Sequence, residues 1–147
     1  MRTDITELKA TEAALRQSEE RFRDFAESAS DWLWECGPDL RFTYLSEQFE
    51  GHSGMLASLV IGRTREEVGK PAENDESWKN HLADLRARRP FRDFRYRSET
   101  PDGSPIYFRI SGVPVFDDDG AFKGYRGTGT NVAAQVRAEQ QAERALQ

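Results

Sequence analysis

The stretch DGSPIYFRISGVPVFDDDGAFKGYRGTGTNV, residues 102–132, decides how this chain folds. Asp102-Gly103 and Asp117-Asp-Asp-Gly120 are turn signals, because glycine tolerates the left-handed backbone of tight turns and aspartate accepts from nearby turn amides. Between them Ile106 to Phe116 alternates, and Phe122 to Asn131 forms a closing run. Upstream, Phe91-Arg-Asp-Phe-Arg-Tyr-Arg alternates imperfectly, so the last third predicts an antiparallel three-stranded meander. Pro114 has no amide to give to a ladder and marks a bulge or an edge-facing position near the end of its strand.

Outward from there, Trp32 to Cys36 and Arg41 to Ser46 are short runs rich in aromatic and β-branched residues around Gly37-Pro38-Asp39, the pattern of a hairpin. From 47 to about 90 the chain reads as irregular, interrupted by Gly51, Gly54, Gly62, Gly69 and Pro71. Within it Asp75 or Ser77 opens a helix with Trp78, Leu82 and Leu85 on one face, ending near Arg89-Pro90.

At the other end, Asp4 before Ile5, with Glu7 three positions on, predicts a capped helix start. Leu8, Thr11, Leu15, Ser18, Phe22, Phe25 and Ala29 then fall at spacings of three and four along one thin seam. Such a helix, about 25 residues and roughly 37 Å long at 1.5 Å per residue, exceeds what a domain of this size needs. Its first half is expected to project and meet another helix, with Leu8, Leu15 and Phe22 as the dimer seam. The element order is helix, two strands, helical middle, three strands, helix. An α+β domain with a five-stranded antiparallel sheet and helices on one face satisfies those connections.

Composition narrows function by exclusion. The 147 residues suit one domain, and the net charge of -5 leaves no basic face for a nucleic acid, so none is expected as partner. No apolar run approaches the roughly 20 residues of a membrane span, and the N-terminus lacks the apolar centre of a secretory signal. With Cys36 as the only cysteine, no internal disulfide can form, which fits a cytoplasmic setting. Two histidines and one cysteine do not supply metal spacing. Ser111 lies in Ile-Ser-Gly-Val, which lacks the nucleophile-elbow pattern, and no phosphate loop with its lysine is present. Glu73, Asp75 and Glu76 suit a solvated helix start. No catalytic residue is assigned.

What remains is an aromatic supply: Trp32, Trp34, Phe42, Tyr44, Trp78, Phe94, Tyr96, Phe108 and Tyr125. Two readings stay open. The rings fill the core, or they enclose a flat ligand such as a flavin, oriented by the polar groups of Ser111 and Tyr125. Candidate residues for such a cavity are Trp34, Phe42, Tyr44, Trp78, Phe94, Tyr96, Ser111 and Tyr125, to which the family resemblance given next adds His81.

Taken in order, SEERFRDFAESASDWLWE at 18–35, IGRTREEV at 61–68, WKNHLADLRARRPFRDFRYR at 78–97 and the opening stretch resemble a bacterial PAS domain. The resemblance implies the strand order 2-1-5-4-3, a cavity over one face, and a module that senses a signal and passes it through flanking helices to an output domain. It implies a division into a linker helix at 1–20, the PAS domain at 21–131 and a linker helix at 132–147. The parent protein would be a sensor histidine kinase, a diguanylate cyclase or a phosphodiesterase with adjacent PAS domains. Thr3-Asp4-Ile5-Thr6 then resembles the tail of a preceding unit and Thr130-Asn131-Val132-Ala133 this unit's own, 127 positions later. The junction residues are Asp4, Arg126, Thr130 and Asn131. In that family an acidic residue often stands where Asn131 does and holds an ionic contact, for which Arg126 is the expected partner here; asparagine reduces the link to a neutral hydrogen bond and a looser exit. Some haem-binding members take an axial ligand from the helix that carries His81, though the surrounding residues do not match. Cys36 lacks the Asn-Cys-Arg-Phe-Leu context of the light sensors. The cofactor stays unknown: the leading expectation is none, with flavin and haem as the named alternatives. A homodimer through the flanking helices and a small-molecule ligand are the expected partners. The rival is a structural spacer that binds nothing.

Overall fold

The computed structural model describes residues 12–17, 20–21, 31–69 and 71–146. Its five strands are β1 (Trp32–Cys36), β2 (Phe42–Leu45), β3 (Phe91–Glu99), β4 (Pro105–Phe116) and β5 (Phe122–Asn131). Between β2 and β3 lie the helices α1 (Gln48–Ser53), α2 (Arg65–Gly69) and α3 (Glu76–Arg86), with a 3-10 turn at Ala57–Leu59; α4 (Ala133–Ala145) follows the last strand. All neighbours are antiparallel, in the order β2-β1-β5-β4-β3. The expected α+β architecture is the one found.

The turns form where the glycines demanded them. Gly103 and Gly120 take φ of 86° and 84°, and the Asp117 carboxylate accepts from the amides of Asp119 and Ala121, both at 2.9 Å. The imperfect alternation of β3 is a bulge between Phe91 and Phe94, where Asp93 has φ of 56° and donates its amide to Ser111 Oγ at 3.0 Å. Pro114 sits past the last β3–β4 pair, Phe91 with Gly112, where β4 pairs with β5 alone among the described residues.

The core lies between the inner sheet face and α1 to α3, and Trp34, Phe108 and Tyr125 are its largest fully buried side chains. Two glycines make room for the tryptophans. A Cβ on Gly129 would stand 2.5 Å from the Trp32 indole nitrogen, and one on Gly112 would stand 2.7 Å from the Trp34 ring. The helix α3 starts at Asp75, whose Oδ1 accepts from the amides of Ser77 and Trp78. Its inward face is Trp78, His81 and Leu85, with Leu82 only half-buried. A histidine thus occupies a central core position.

Residues 12–17 and 20–21 are helical, and Leu15 is 57% exposed. Asp4, Leu8 and Phe22 lie outside the described residues, as does most of the expected N-terminal helix. Among the described residues no helix is long and apolar enough to cross a membrane.

Candidate functional site

The helix α2 is five residues long and sets its first residue, Arg65, facing the sheet. Arg65 is only 6% exposed. Its guanidinium carbon lies 4.3 Å from the centre of the Trp34 ring, 5.1 Å from that of Phe42 and 5.7 Å from that of Phe91. One terminal nitrogen, Nη1, faces Nε2 of His81 at 3.5 Å, and the Tyr96 hydroxyl adjoins the guanidinium. Among the described residues the Nε–H has no acceptor. Among the described residues no carboxylate forms an ion pair with Arg65. Burial pushes its pKa down from the usual guanidinium value, with Tyr96 and Cys36 opposing. A guanidinium nonetheless keeps its proton in proteins, so the aromatic faces carry much of the compensation.

His81 is held as a neutral ring. Burial, with the Arg65 charge beside it, lowers its pKa from 6.5 to about 3. The ring stacks on Phe94 at 4.0 Å and meets the edge of Phe91 at 4.6 Å, and its Nδ1 has no partner among the described residues. Burial also pushes up Tyr96, with Arg65 opposing, and the thiol of Cys36. Cys36 is therefore a protonated, packed thiol at the end of β1.

Three voids adjoin this cluster. The interior one, ringed by Trp34, Phe42, Arg65, Tyr96 and Phe108, holds about 10 Å³. On the far side of Arg65 a second, of about 100 Å³, is lined by Cys36, Asp39, Leu40, Phe42, Thr64, Glu66, Leu82 and Leu85. An open groove of about 470 Å³ runs past Trp78 and Tyr96 to Val132 and Val136 of the exit segment.

Seven of the nine expected cavity residues are gathered in the interior; two are not. Tyr44 is 40% exposed and lines none of these three voids. The register explains it: Cys36 faces Phe42 while Glu35 faces Tyr44, so Thr43 is an extra residue that turns Tyr44 to the outer side shared with Glu35. Ser111 likewise lies outside, between the inward Ile110 and Gly112, with its hydroxyl engaged by the β3 bulge. Tyr125 is buried, but its hydroxyl donates to the carbonyl of Arg89 at 2.9 Å, so it locks the end of α3 rather than orienting a ligand. Arg65 was not anticipated, since a single arginine in Thr-Arg-Glu-Glu reads as solvated; only the convergence of residues 34, 42, 81, 91 and 96 reveals its place.

The exit junction is also built differently from expectation. Asn131 Nδ2 donates to the carbonyl of His52 at 2.8 Å, and Asn131 Oδ1 accepts from the amide of Ala133 at 2.9 Å. One side chain therefore joins α1, the end of β5 and the first turn of α4. Arg126 pairs across the sheet with Glu35 and Val113, and strand alternation sets its side chain on the opposite face from Asn131. It is not the partner. Thr130 is half-buried opposite Arg109. Further along, Arg95 of β3 grips Glu139 of α4, both carboxylate oxygens at 3.1 Å from Nη1, and the Val132 amide donates to the Tyr107 carbonyl.

A family profile of the PAS domain matches residues 30–134. The chain belongs to the PAS domain family. Solved structures agree on the fold. An RNA-binding light-oxygen-voltage receptor superposes with a TM-score of 0.67 at 20% identity, covering 87% of this chain and 37% of its own. A light-oxygen-voltage domain studied with a flavin analogue gives 0.63 at 17% identity, covering 86% and 96%. The N-terminal domain of a diguanylate cyclase with a PAS/PAC sensor from Marinobacter aquaeolei gives 0.58 at 17%, covering 71% and 97%. In sequence, the uncharacterized protein y4lL of Sinorhizobium fredii is 26% identical over 138 residues, which is 94% of this chain and 17% of that protein. The chain thus spans about a sixth of that relative.

PAS domains are sensory rather than catalytic modules, and this one carries the fold of a sensor. Two cofactors of the wider fold can be tested against its interior. A flavin ring system needs hundreds of Å³, whereas the interior void of this PAS domain, about 10 Å³, has room for one water. For haem, the ring nitrogen of His81 that would ligate iron is turned to a guanidinium, and Phe94 covers the ring face. Neither group fits this interior as packed.

Proposed function

We propose that this PAS domain is a cytoplasmic sensory and dimerisation module of a bacterial signalling protein, whose output is a histidine kinase or a cyclic-di-nucleotide enzyme. A change inside the fold would shift the pose of α4, and paired linker helices would carry that shift to the output domain. The observation that carries this reading is the way α4 is tied to the sheet: Asn131 bridges His52 and Ala133, and Arg95 holds Glu139. The helix is therefore coupled to two separate parts of the domain. The likeness to the sensor domain of a diguanylate cyclase supports the class of output.

A second reading has its own support. The closed interior favours a structural spacer that keeps helix register and binds nothing. Thermal unfolding against a panel of small molecules separates the two. A ligand that binds only the folded state adds about 2.7 kcal/mol at 100 times its dissociation constant, a rise of several degrees for a domain of this size. A sensor shows such a rise for a specific compound, together with altered amide exchange in α4. A spacer shows neither.

A further inference from the structure

We propose that the turn from α3 into β3, with the β4–β5 hairpin beside it, is a docking surface for an acidic segment of a partner protein.

Arg86, Arg88 and Arg92 are exposed and form no ion pair among the described residues. Carboxylates of the same region are already engaged: Asp84 with Arg89 at 3.1 Å, Asp93 with Arg109 at 3.8 Å and Asp117 with Lys123 at 3.5 Å. The turn is therefore basic in a chain whose net charge is -5.

Arg88 is held there against the preference of its backbone. Its amide donates to the carbonyl of Leu85 at 3.1 Å, and the amide of Arg89 donates to that of Asp84 at 3.0 Å. These paired bonds close a helix through one left-handed residue, which here is Arg88 with φ of 56°. Glycine is usual at such a place, because a Cβ is strained in that conformation. Strain of this kind concentrates where function needs it. What the arginine supplies is a placed cation: its guanidinium carbon lies 4.6 Å from the centre of the Phe122 ring. The N–H edges of that guanidinium have no acceptor among the described residues.

The frame around it is fixed and partly apolar. Phe122 packs on Phe116 with ring centres 5.9 Å apart, and Phe116 is 48% exposed. The Tyr125 hydroxyl donates to the carbonyl of Arg89 and ties the turn to β5. An arginine placed beside exposed aromatic surface is what the centre of a protein interface uses, with little left to order on binding.

Charge selects the partner. The edges of a guanidinium match a carboxylate two oxygens at a time, so acidic side chains flanking an apolar one fit this surface. A nucleic acid fits worse. Asp118 and Asp119 are exposed at the tip of the same hairpin, and a strand with a phosphate at every nucleotide would meet them, whereas a peptide can hold its carboxylates apart.

The test titrates the whole chain with three probes: acetyl-Glu-Glu-Phe-Glu-Glu-amide, the same peptide with glutamine for glutamate, and a decamer of uridylate. The expected result is a saturable shift of the Arg86 and Arg88 Nε–H resonances with the acidic peptide. Its affinity should be at least about fivefold that of the glutamine peptide and should fall as ionic strength rises from about 0.05 to 0.3 M. Arg88→Gly suits the backbone, so it should keep the unfolding midpoint and lose that preference. Equal affinity for the two peptides overturns the proposal, as does an undiminished preference in Arg88→Gly. Tighter binding of the uridylate decamer than of the acidic peptide also overturns it and makes the surface one for nucleic acid. If Arg88→Gly does not fold, the contrast between the probes on the wild-type chain decides alone.

Discussion

The guanidinium of Arg65 stands 4.3 Å from the centre of the Trp34 ring, a full positive charge in the middle of the fold with no carboxylate paired to it among the described residues. Taking such a charge out of water costs several kcal/mol, while each desolvated aromatic face returns about 2 kcal/mol. With three faces in range the two nearly cancel. Arg65→Met, which fills the space without the charge, should therefore leave stability within about 1 kcal/mol of wild type. Arg65→Ala, which leaves a hole, should cost about 2–4 kcal/mol. Urea denaturation of both variants checks this; equal losses would show that the charge itself stabilises the fold.

His81 gives the domain an acid limb. Its folded pKa is about 3 against 6.5 for an ordinary histidine, so the folded state refuses a proton that the unfolded chain accepts. Its contribution is complete above pH 6.5 and declines as pH falls toward 3, by about 1.4 kcal/mol per pH unit. Between pH 6.5 and 5 the loss should be roughly 2 kcal/mol. The depressed carboxylates, Asp75, Asp102 and Asp117, act below this window. His81→Gln should flatten stability across pH 5–6.5, and an unchanged slope would place the proton uptake elsewhere.

Much of the sheet was legible because its signals are local. Gly103 and Gly120 announce turns, and Ile106, Phe108 and Ile110 keep strict alternation, so β4 and β5 were found almost to the residue. The site was less legible because it depends on phase and distance. One extra residue, Thr43, reverses the side on which Tyr44 appears. Arg65 gains its meaning only when topology brings Trp34, His81 and Phe91 around it. Asn131 was recognised as a junction residue, but its partner, the His52 carbonyl, is 79 positions away and no local pattern marks it.

Gly129 lies beneath Trp32, and any side chain there must displace the indole. Gly129→Ala should cost about 1–3 kcal/mol through overpacking and alter tryptophan fluorescence. Retained stability with an unchanged spectrum would mean that the ring moves freely.

Asn131→Ala removes two neutral hydrogen bonds of about 1 kcal/mol each. Amide exchange at 133–136 should accelerate while the sheet keeps its protection. Unchanged exchange there would show that Arg95 and Val132 hold the helix unaided.

Leu15 is 57% exposed on the described part of the N-terminal helix. Leu15→Glu should weaken a dimer formed through that face while leaving the sheet folded, as read by sedimentation and circular dichroism. A wild-type chain that stays monomeric at high concentration would defeat the dimer.

The central claim is that a change in the interior reaches the exit helix. Hydrogen exchange of residues 132–140, compared between wild type and Arg65→Met under identical conditions, addresses it most directly. The account predicts altered protection in that segment and around Arg95 and Tyr96. A change confined to the residues around Trp34 and Phe42, with 132–140 unmoved, would contradict it.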